Sequence, residues 1–154
     1  MSAEAKKALR AVIVDDEELA RQVIREMLQS HPEVEITGEC ANGFEAVRMA
    51  GELKPDLLFL DIQMPKLDGF EVLQLIVSEV AIVFVTAHDE HALRAFEVHA
   101  VDYLLKPFTA ERFDAALERA KHRIGEKLPS PTELSAATRQ PGQYAERIVV
   151  KDGT

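Results

Sequence analysis

Two hydrophobic patterns alternate along the chain: short apolar runs, and stretches in which apolar residues recur every three or four positions. The runs have the length of β-strands, and the stretches have the period of amphipathic helices. We predict strands at Ala11–Val14, Val34–Cys40, Asp56–Leu60, Ala81–Val85 (ending at Thr86) and Asp102–Leu105. The apolar faces of the intervening and final helices are predicted within Leu19–Leu28, Ala46–Leu53, Phe70–Val77, Ala92–Ala100 and Phe113–Ile124.

This order predicts an α/β fold with five β–α units. Strands that are apolar throughout are buried on both faces, as in a parallel sheet that carries helices on each side. Right-handed crossovers then favour a doubly wound five-stranded parallel sheet. Val34–Cys40 alternates between apolar and polar residues, which predicts an edge strand with one solvent-facing side.

Polar residues stand at the ends of these strands, where doubly wound sheets bind ligands. Each follows a strand that we expect to lie inside the sheet: Asp15, Asp16, Asp61, Thr86 and Lys106. Three converging carboxylates repel one another, and a hard divalent cation with oxygen ligands relieves that repulsion. A site with few protein ligands and open positions for water suits Mg²⁺ better than Ca²⁺. With an ammonium and a hydroxyl nearby, such a cleft suits a phosphoryl group carried by a carboxylate.

Composition narrows the class of protein. The 154 residues are 47% hydrophobic, which is enough for one domain with a core, and the net charge of −9 disfavours contact with a nucleic-acid backbone. The single cysteine, Cys40, excludes an intrachain disulfide and a multi-cysteine metal cluster. No apolar run approaches a membrane span, and the first residues do not resemble a signal peptide, so we expect a cytoplasmic protein without membrane contact.

The composition changes near residue 125. We predict an N-terminal extension at 1–8, a folded domain at 9–125 and a linker at 126–145 that is rich in Pro, Ser, Thr and Ala. Residues 146–154 resume a strand pattern at Arg147–Val150 and a turn signal at Asp152-Gly153. Since one strand cannot fold alone, we interpret 146–154 as the truncated start of a second domain.

The strand-end residues together resemble a known family. The pair Asp15-Asp16, residues 61–69 (DIQMPKLDG), Thr86-Ala87 and Lys106-Pro107 are similar to the signature of receiver domains of two-component response regulators. The resemblance covers about 9–124 and implies the flavodoxin-like (βα)5 receiver fold. Residues 84–96 and 100–108 further resemble receivers of the LytTR type (LytR/AlgR-like), whose partner domain is a β-rich DNA binder.

The resemblance implies a role for each site residue. Asp61 would be the phosphoacceptor, with a sensor histidine kinase as donor. Asp16 would bind Mg²⁺ directly, Asp15 would hold a metal-bound water or a ligand position, and the backbone carbonyl of Gln63 would complete the metal set. The domain would assist its own phosphotransfer and dephosphorylation without being an enzyme in the usual sense.

The remaining residues would transmit the signal. Thr86 would move onto the phosphoryl group, and Lys106 would pair with it, aimed by a cis peptide to Pro107. Tyr103 would be the aromatic residue that turns inward on activation. The surface of the fourth helix, fifth strand and fifth helix would then change and form a homodimer on phosphorylation. DNA would be bound only through the C-terminal domain.

Other functions and plainer structural roles remain open at this point. A phosphatase of the haloacid dehalogenase class would need a second acid at Gln63, and a flavodoxin-like cofactor binder would need a Ser-, Thr- or Gly-rich loop at 15–18. A receiver that never takes phosphate is opposed only by the intact set of residues. Taken alone, Asp15-Asp16 could favour a helix N-terminus, and Thr86 could be a strand-end cap.

Overall fold

The structure is a computed structural model that describes residues 8–77 and 79–127. The chain divides into two units, residues 1–120 and 121–154. Every strand of the described residues lies in the first unit, and the described residues of the second, 121–127, belong to the last helix. The rest of the predicted linker and the predicted strand at 147–150 lie outside the described residues.

Strands and helices alternate as the hydrophobic pattern predicted. The strands are β1 Leu9–Val14, β2 Val34–Cys40, β3 Leu57–Leu60, β4 Ala81–Thr86 and β5 Asp102–Leu105. The helices are α1 Glu18–Leu28, α2 Gly43–Leu53, α3 Gly69–Leu75, α4 Ala92–Glu97 and α5 Ala110–Lys127. A short 3₁₀ turn, Asp89–His91, precedes α4. Within the described part of the chain, these helices are too short or too polar to cross a bilayer.

The five strands form one parallel sheet in the order β2-β1-β3-β4-β5. This confirms the doubly wound α/β fold and places β2 at an edge, as its alternating pattern predicted. Two expectations about the strand ends are wrong. Lys106 follows an edge strand, β5, rather than an inner one. Thr86 is the last residue of β4 and not a residue beyond it.

Helices cover both faces of the sheet, which explains the apolar inner strands. On one face, Phe59 of β3 stacks on Phe113 of α5 with ring centroids 5.4 Å apart. On the other face, Phe84 of β4 packs against Phe70 of α3 with ring centroids 5.1 Å apart. Because no side of β1, β3 or β4 faces solvent, every residue from Ala11 to Val14 is buried.

Two helices end earlier than their apolar pattern predicted. α3 ends at Leu75 because Ile76 is extended. α4 ends in a Schellman-type turn: His99 adopts φ 64°, and the amide of Ala100 donates to the carbonyl of Ala95 at 3.2 Å. Ile76 and Ala100 still pack against the core from outside the helices, so burial continues the apolar period after the helix has ended.

The predicted apolar face of α1 is only partly buried. Ile24 and Leu28 are buried, but Leu19 is 74% exposed and Val23 is 43% exposed. Phe96 of α4 is likewise 77% exposed. Apolar periodicity therefore located these helices correctly but overstated how much of each one packs in the core.

Candidate functional site

Three carboxylates meet at the carboxyl end of the sheet. Asp15 and Asp16 follow β1, and Asp61 follows β3, which pairs with β1 in parallel. One carboxylate oxygen from each residue lies within 4.8 Å of the other two. Asp15 is 1% exposed and Asp61 is 6% exposed, whereas Asp16 faces solvent. Sequence-distant acids thus form one partly enclosed anionic site.

Hydrogen bonds hold both the backbone and the carboxylate of Asp15. Its backbone amide donates to the carbonyl of Cys40 at 3.1 Å, which ties the loop to the end of β2. Its Oδ1 accepts the backbone N–H of Glu17 at 2.9 Å, and its Oδ2 accepts from Lys106 Nζ at 2.8 Å. Asp15 is therefore a fixed point of the site.

Lys106 supplies a positive charge to two of the acids. Its Nζ lies 2.8 Å from Asp15 Oδ2 and 3.9 Å from Asp61 Oδ2. Burial acts to lower the pKa of Lys106, but the hydrogen bond to Asp15 and the charge of Asp61 outweigh it and raise that pKa above its usual value. Lys106 is therefore a cation throughout the physiological pH range.

Asp61 is the electrostatically strained member of the site. Burial, and then the negative charge of Asp15, raise its pKa from 3.8 to about 6, against the opposing effects of Lys106 and the Ile62 amide. One ammonium thus incompletely offsets three carboxylates in a desolvated site. A set of hard, anionic oxygen donors with excess negative charge is consistent with binding of Mg²⁺.

An open cleft of about 500 Å³ lies beside the acids. Its lining residues come from the two loops that carry the carboxylates: Asp16, Ile62, Gln63, Met64, Pro65 and Asp68. Gln63, the candidate backbone ligand, lies on this wall.

The loop between Asp61 and α3 is fixed by a capping box. The Asp68 carboxylate accepts the Glu71 amide at 2.9 Å, and the Glu71 carboxylate accepts the Asp68 amide at 2.8 Å. Gly69 follows directly, and its amide donates to the carbonyl of Ile62 at 2.8 Å. A Cβ at Gly69 would lie 2.6 Å from the backbone oxygen of Asp61. Only glycine fits there without moving Asp61.

Sequence reasoning missed the role of Gly69, although a signal was present. Glycine is a poor helix former. Its position directly after the N-cap Asp68 is explained by the close approach of two backbones rather than by helix formation.

Thr86 and Tyr103 lie on the β4 and β5 side of the site. Thr86 is fully buried, and its hydroxyl accepts the backbone N–H of His88 at 3.4 Å. The Tyr103 hydroxyl donates to the backbone carbonyl of the same His88. The amide of Lys106 donates to the carbonyl of Thr86 at 2.8 Å, and the peptide between Lys106 and Pro107 is cis. His88 thus bridges the two candidate switch residues.

Known proteins share this combination of sheet and site. Residues 11–118 match the family model of the response regulator receiver domain. The transcriptional regulatory protein BtsR of Salmonella typhi is 49% identical over 115 residues, 73% of this chain and 48% of BtsR. A response regulatory protein of Shewanella oneidensis is 44% identical over 149 residues, 94% of this chain and 63% of that protein.

Solved structures agree with these relatives. The response regulatory domain of mrkE from Klebsiella pneumoniae is similar with a TM-score of 0.70 and 36% identity, over 76% of this chain and 98% of that one. The chain spans about half the length of the curated BtsR proteins that it matches. The family model matches most of the chain, relatives are close to half identical to it, and solved receiver structures share its fold. The chain therefore belongs to the response regulator receiver domain family.

Proposed function

We propose that this receiver domain takes a phosphoryl group on Asp61 from a sensor histidine kinase and passes the signal to a DNA-binding domain. The observation that carries the proposal is the environment of Asp61. Its carboxylate is 6% exposed, lies within 4.8 Å of two further acids and 3.9 Å from an ammonium, and adjoins an open cleft.

Asp61 is suited to act as the nucleophile. A carboxylate oxygen attacks the phosphorus of a kinase phosphohistidine; a P–O bond forms, and the P–N bond breaks. The bonding electron pair stays on the imidazole nitrogen, which takes up a proton. With a pKa of about 6, Asp61 is largely ionised at neutral pH and is available for this attack.

The neighbouring residues counter the charge that the phosphoryl group brings. Asp16, Asp61, the Gln63 carbonyl and Asp15, directly or through a water molecule, would hold Mg²⁺, which supplies positive charge to phosphoryl oxygens when bound. Lys106 pairs with a phosphoryl oxygen from the opposite side. The same groups serve hydrolysis of the acyl phosphate, so the domain assists both its own phosphorylation and its own dephosphorylation.

Thr86 and Tyr103 carry the signal away from the site. A phosphoryl oxygen offers the Thr86 hydroxyl a charge-assisted hydrogen bond that is stronger than its 3.4 Å contact with the His88 amide. When Thr86 moves, His88 loses that contact, and the Tyr103 hydroxyl is bonded to the carbonyl of the same residue. The loop between β4 and α4 and the ring of Tyr103 therefore rearrange together.

The surface of α4, β5 and α5 is the proposed output. Phe96 is 77% exposed, Leu105 is 42% exposed and Val98 is 39% exposed, which leaves apolar area beside an edge strand. The helix α4 and the strand β5 are neighbours, and exposed apolar residues on neighbouring elements favour protein contact. We assign this surface to a homodimer that phosphorylation strengthens.

The output domain is part of the proposal. We assign 9–125 to the receiver, 126–145 to a linker and 146–154 to the start of a DNA-binding domain of the LytTR type. In support, the chain spans 48% of BtsR, whose name is that of a transcriptional regulatory protein.

Acetyl phosphate with Mg²⁺ tests the phosphoacceptor. Intact-mass analysis should show one added phosphoryl group, and chelation with EDTA should prevent it. Asp61→Asn should remove the label, while Asp56→Asn, at the other end of the same strand, should keep it. Efficient labelling of Asp61→Asn would contradict the assignment.

Sedimentation with and without beryllofluoride, a mimic of the acyl phosphate, tests the dimer. Association should increase with beryllofluoride and weaken in Phe96→Ala. Leu19→Ala is the matched control, since Leu19 of α1 is 74% exposed against 77% for Phe96. A dimer weakened by Leu19→Ala instead would place the interface on α1.

A further inference from the structure

We propose that Arg21 is a positioning residue of the acidic site, holding the Asp15–Asp16 peptide in the orientation that brings the two carboxylates together. The inference deepens the proposed function and rests on its metal site. Arg21 does not reach the carboxylates themselves; it acts on the backbone that carries them.

Arg21 contacts the backbone of the acidic site and not its carboxylates. Its Nη1 donates to the backbone carbonyl of Asp15 at 2.6 Å, and its side chain is 15% exposed. That carbonyl belongs to the peptide that joins Asp15 to Asp16. Rotation of the peptide would turn Asp16 relative to Asp15, so a charge-assisted hydrogen bond at this oxygen fixes the angle between the two acids.

The guanidinium is itself fixed by two glutamates. Nε lies 3.3 Å from Glu39 Oε1 of β2, and Nη2 lies 2.5 Å from Glu18 Oε1 of α1. With the Asp15 carbonyl, its acceptors come from β2, α1 and the loop after β1. A planar group with several donors spans these three points, as a single ammonium would not.

The N-terminus of α1 makes this contact more important. The N-cap, Glu17, forms no side-chain hydrogen bond to the helix. Its backbone N–H donates instead to Asp15 Oδ1 at 2.9 Å, so the loop depends on Asp15 and on Arg21 for its geometry. Mg²⁺ requires nearly ideal octahedral geometry, and a small displacement of one carboxylate weakens its binding.

Arg25 offers a matched control. Its Nη1 lies 2.6 Å from Glu39 Oε1 and its Nη2 lies 3.2 Å from Glu18 Oε2, so it shares the two glutamates of Arg21. Its hydrogen bonds go to these carboxylates and not to the Asp15 carbonyl. Arg21→Met and Arg25→Met remove the same charge from the same cluster, but only Arg21→Met removes the contact with the backbone of the site.

The experiment is a Mg²⁺ titration followed by amide NMR on the ¹⁵N-labelled chain, with urea unfolding in EDTA as the stability control. Arg21→Met should weaken Mg²⁺ binding about tenfold or more, the range for lost partners of metal ligands. It should also shift the Asp16 amide resonance in the metal-free protein. Arg25→Met should leave both close to the parent. Arg21→Lys, which keeps the charge but has one donor group, should bind Mg²⁺ with intermediate affinity.

Equal Mg²⁺ affinity in Arg21→Met and the parent would overturn the role of Arg21 and leave the proposed metal site standing. An equal loss in Arg25→Met would also overturn it, because the effect would then belong to the charge cluster. Should Arg21→Met fail to fold, Arg21→Lys decides: parental affinity in that variant refutes the positioning role. A parent chain that binds no Mg²⁺ would overturn the metal site and this inference with it.

Discussion

Replacing Asp61 by Asn should stabilise the metal-free protein at alkaline pH. Asp61 is nearly buried beside Asp15, and one lysine at 3.9 Å offsets its charge incompletely. Asn has almost the same shape and stays neutral. The substitution should therefore remove an unfavourable charge from the folded state, at the expense of the residue that we propose as the phosphoacceptor.

The pKa of Asp61 gives the magnitude and the sign. Its rise from 3.8 to about 6 on folding is about two pKa units, each worth about 1.36 kcal/mol, or roughly 3 kcal/mol against the ionised folded state. Because the folded-state pKa is the higher one, the folded protein retains a proton that the unfolded chain has lost between these values. Stability therefore falls as pH rises from 3.8 to about 6 and stays low above that window.

Urea unfolding in EDTA, followed by circular dichroism from pH 4 to 8, measures this effect. At pH 8, Asp61→Asn should raise the free energy of unfolding by roughly 2 to 3 kcal/mol, and the gain should shrink towards pH 4. Asp68→Asn is the control, since Asn also caps helices well and should leave stability near that of the parent. Mg²⁺ should stabilise the parent more than Asp61→Asn, because it binds the folded state and Asp61 is one of its proposed ligands.

The reasoning is refuted if Asp61→Asn is no more stable than the parent at pH 8 in EDTA. A gain that does not change with pH would also refute it, since the benefit would then not come from the Asp61 charge.

Three further expectations follow from the same geometry. Lys106→Ala should still bind Mg²⁺ but lose most of the coupling between phosphorylation and conformational change; parental amide-exchange changes on adding beryllofluoride would contradict its role. Gly69→Ala should destabilise the fold, since its Cβ would meet the Asp61 backbone oxygen at 2.6 Å, whereas Gly51→Ala, with nothing within 4 Å, should stabilise it by about 0.5–1 kcal/mol; urea unfolding of the pair measures the contrast. The buried Cys40 thiol, whose pKa burial raises to about 12, should resist a thiol reagent at pH 8 until the protein unfolds, and rapid reaction in the native state would show that its pocket opens.

The sequence by itself determined the order of strands and helices and the short set of polar residues at the strand ends. Both follow from local information. An apolar run of four to six residues has the length of a β-strand, and apolar residues that recur every three or four positions indicate a helix. Parallel strands carry their carboxyl ends to one edge, so Asp15, Asp16 and Asp61 were expected at the same place before their distances were known.

Only the tertiary structure decided that β5 lies at the second edge of the sheet, where helices end and which apolar residues pack. The sequence predicts that β5 is an inner strand, but it lies at an edge of the sheet. Phe96 continues a helical period, although it is 77% exposed. Periodicity records only that a residue shares a face with its neighbours, while its burial depends on what another part of the chain places opposite.

The fine geometry of the site also came from the tertiary structure. The approach of Gly69 to the Asp61 carbonyl and the reach of Arg21 to the Asp15 carbonyl involve backbone atoms. Every residue has such atoms, so no residue pattern marks which of them will be contacted. The side chains that do the chemistry are visible in a sequence because their types are special; the contacts that aim them arise only when separate segments are folded against one another.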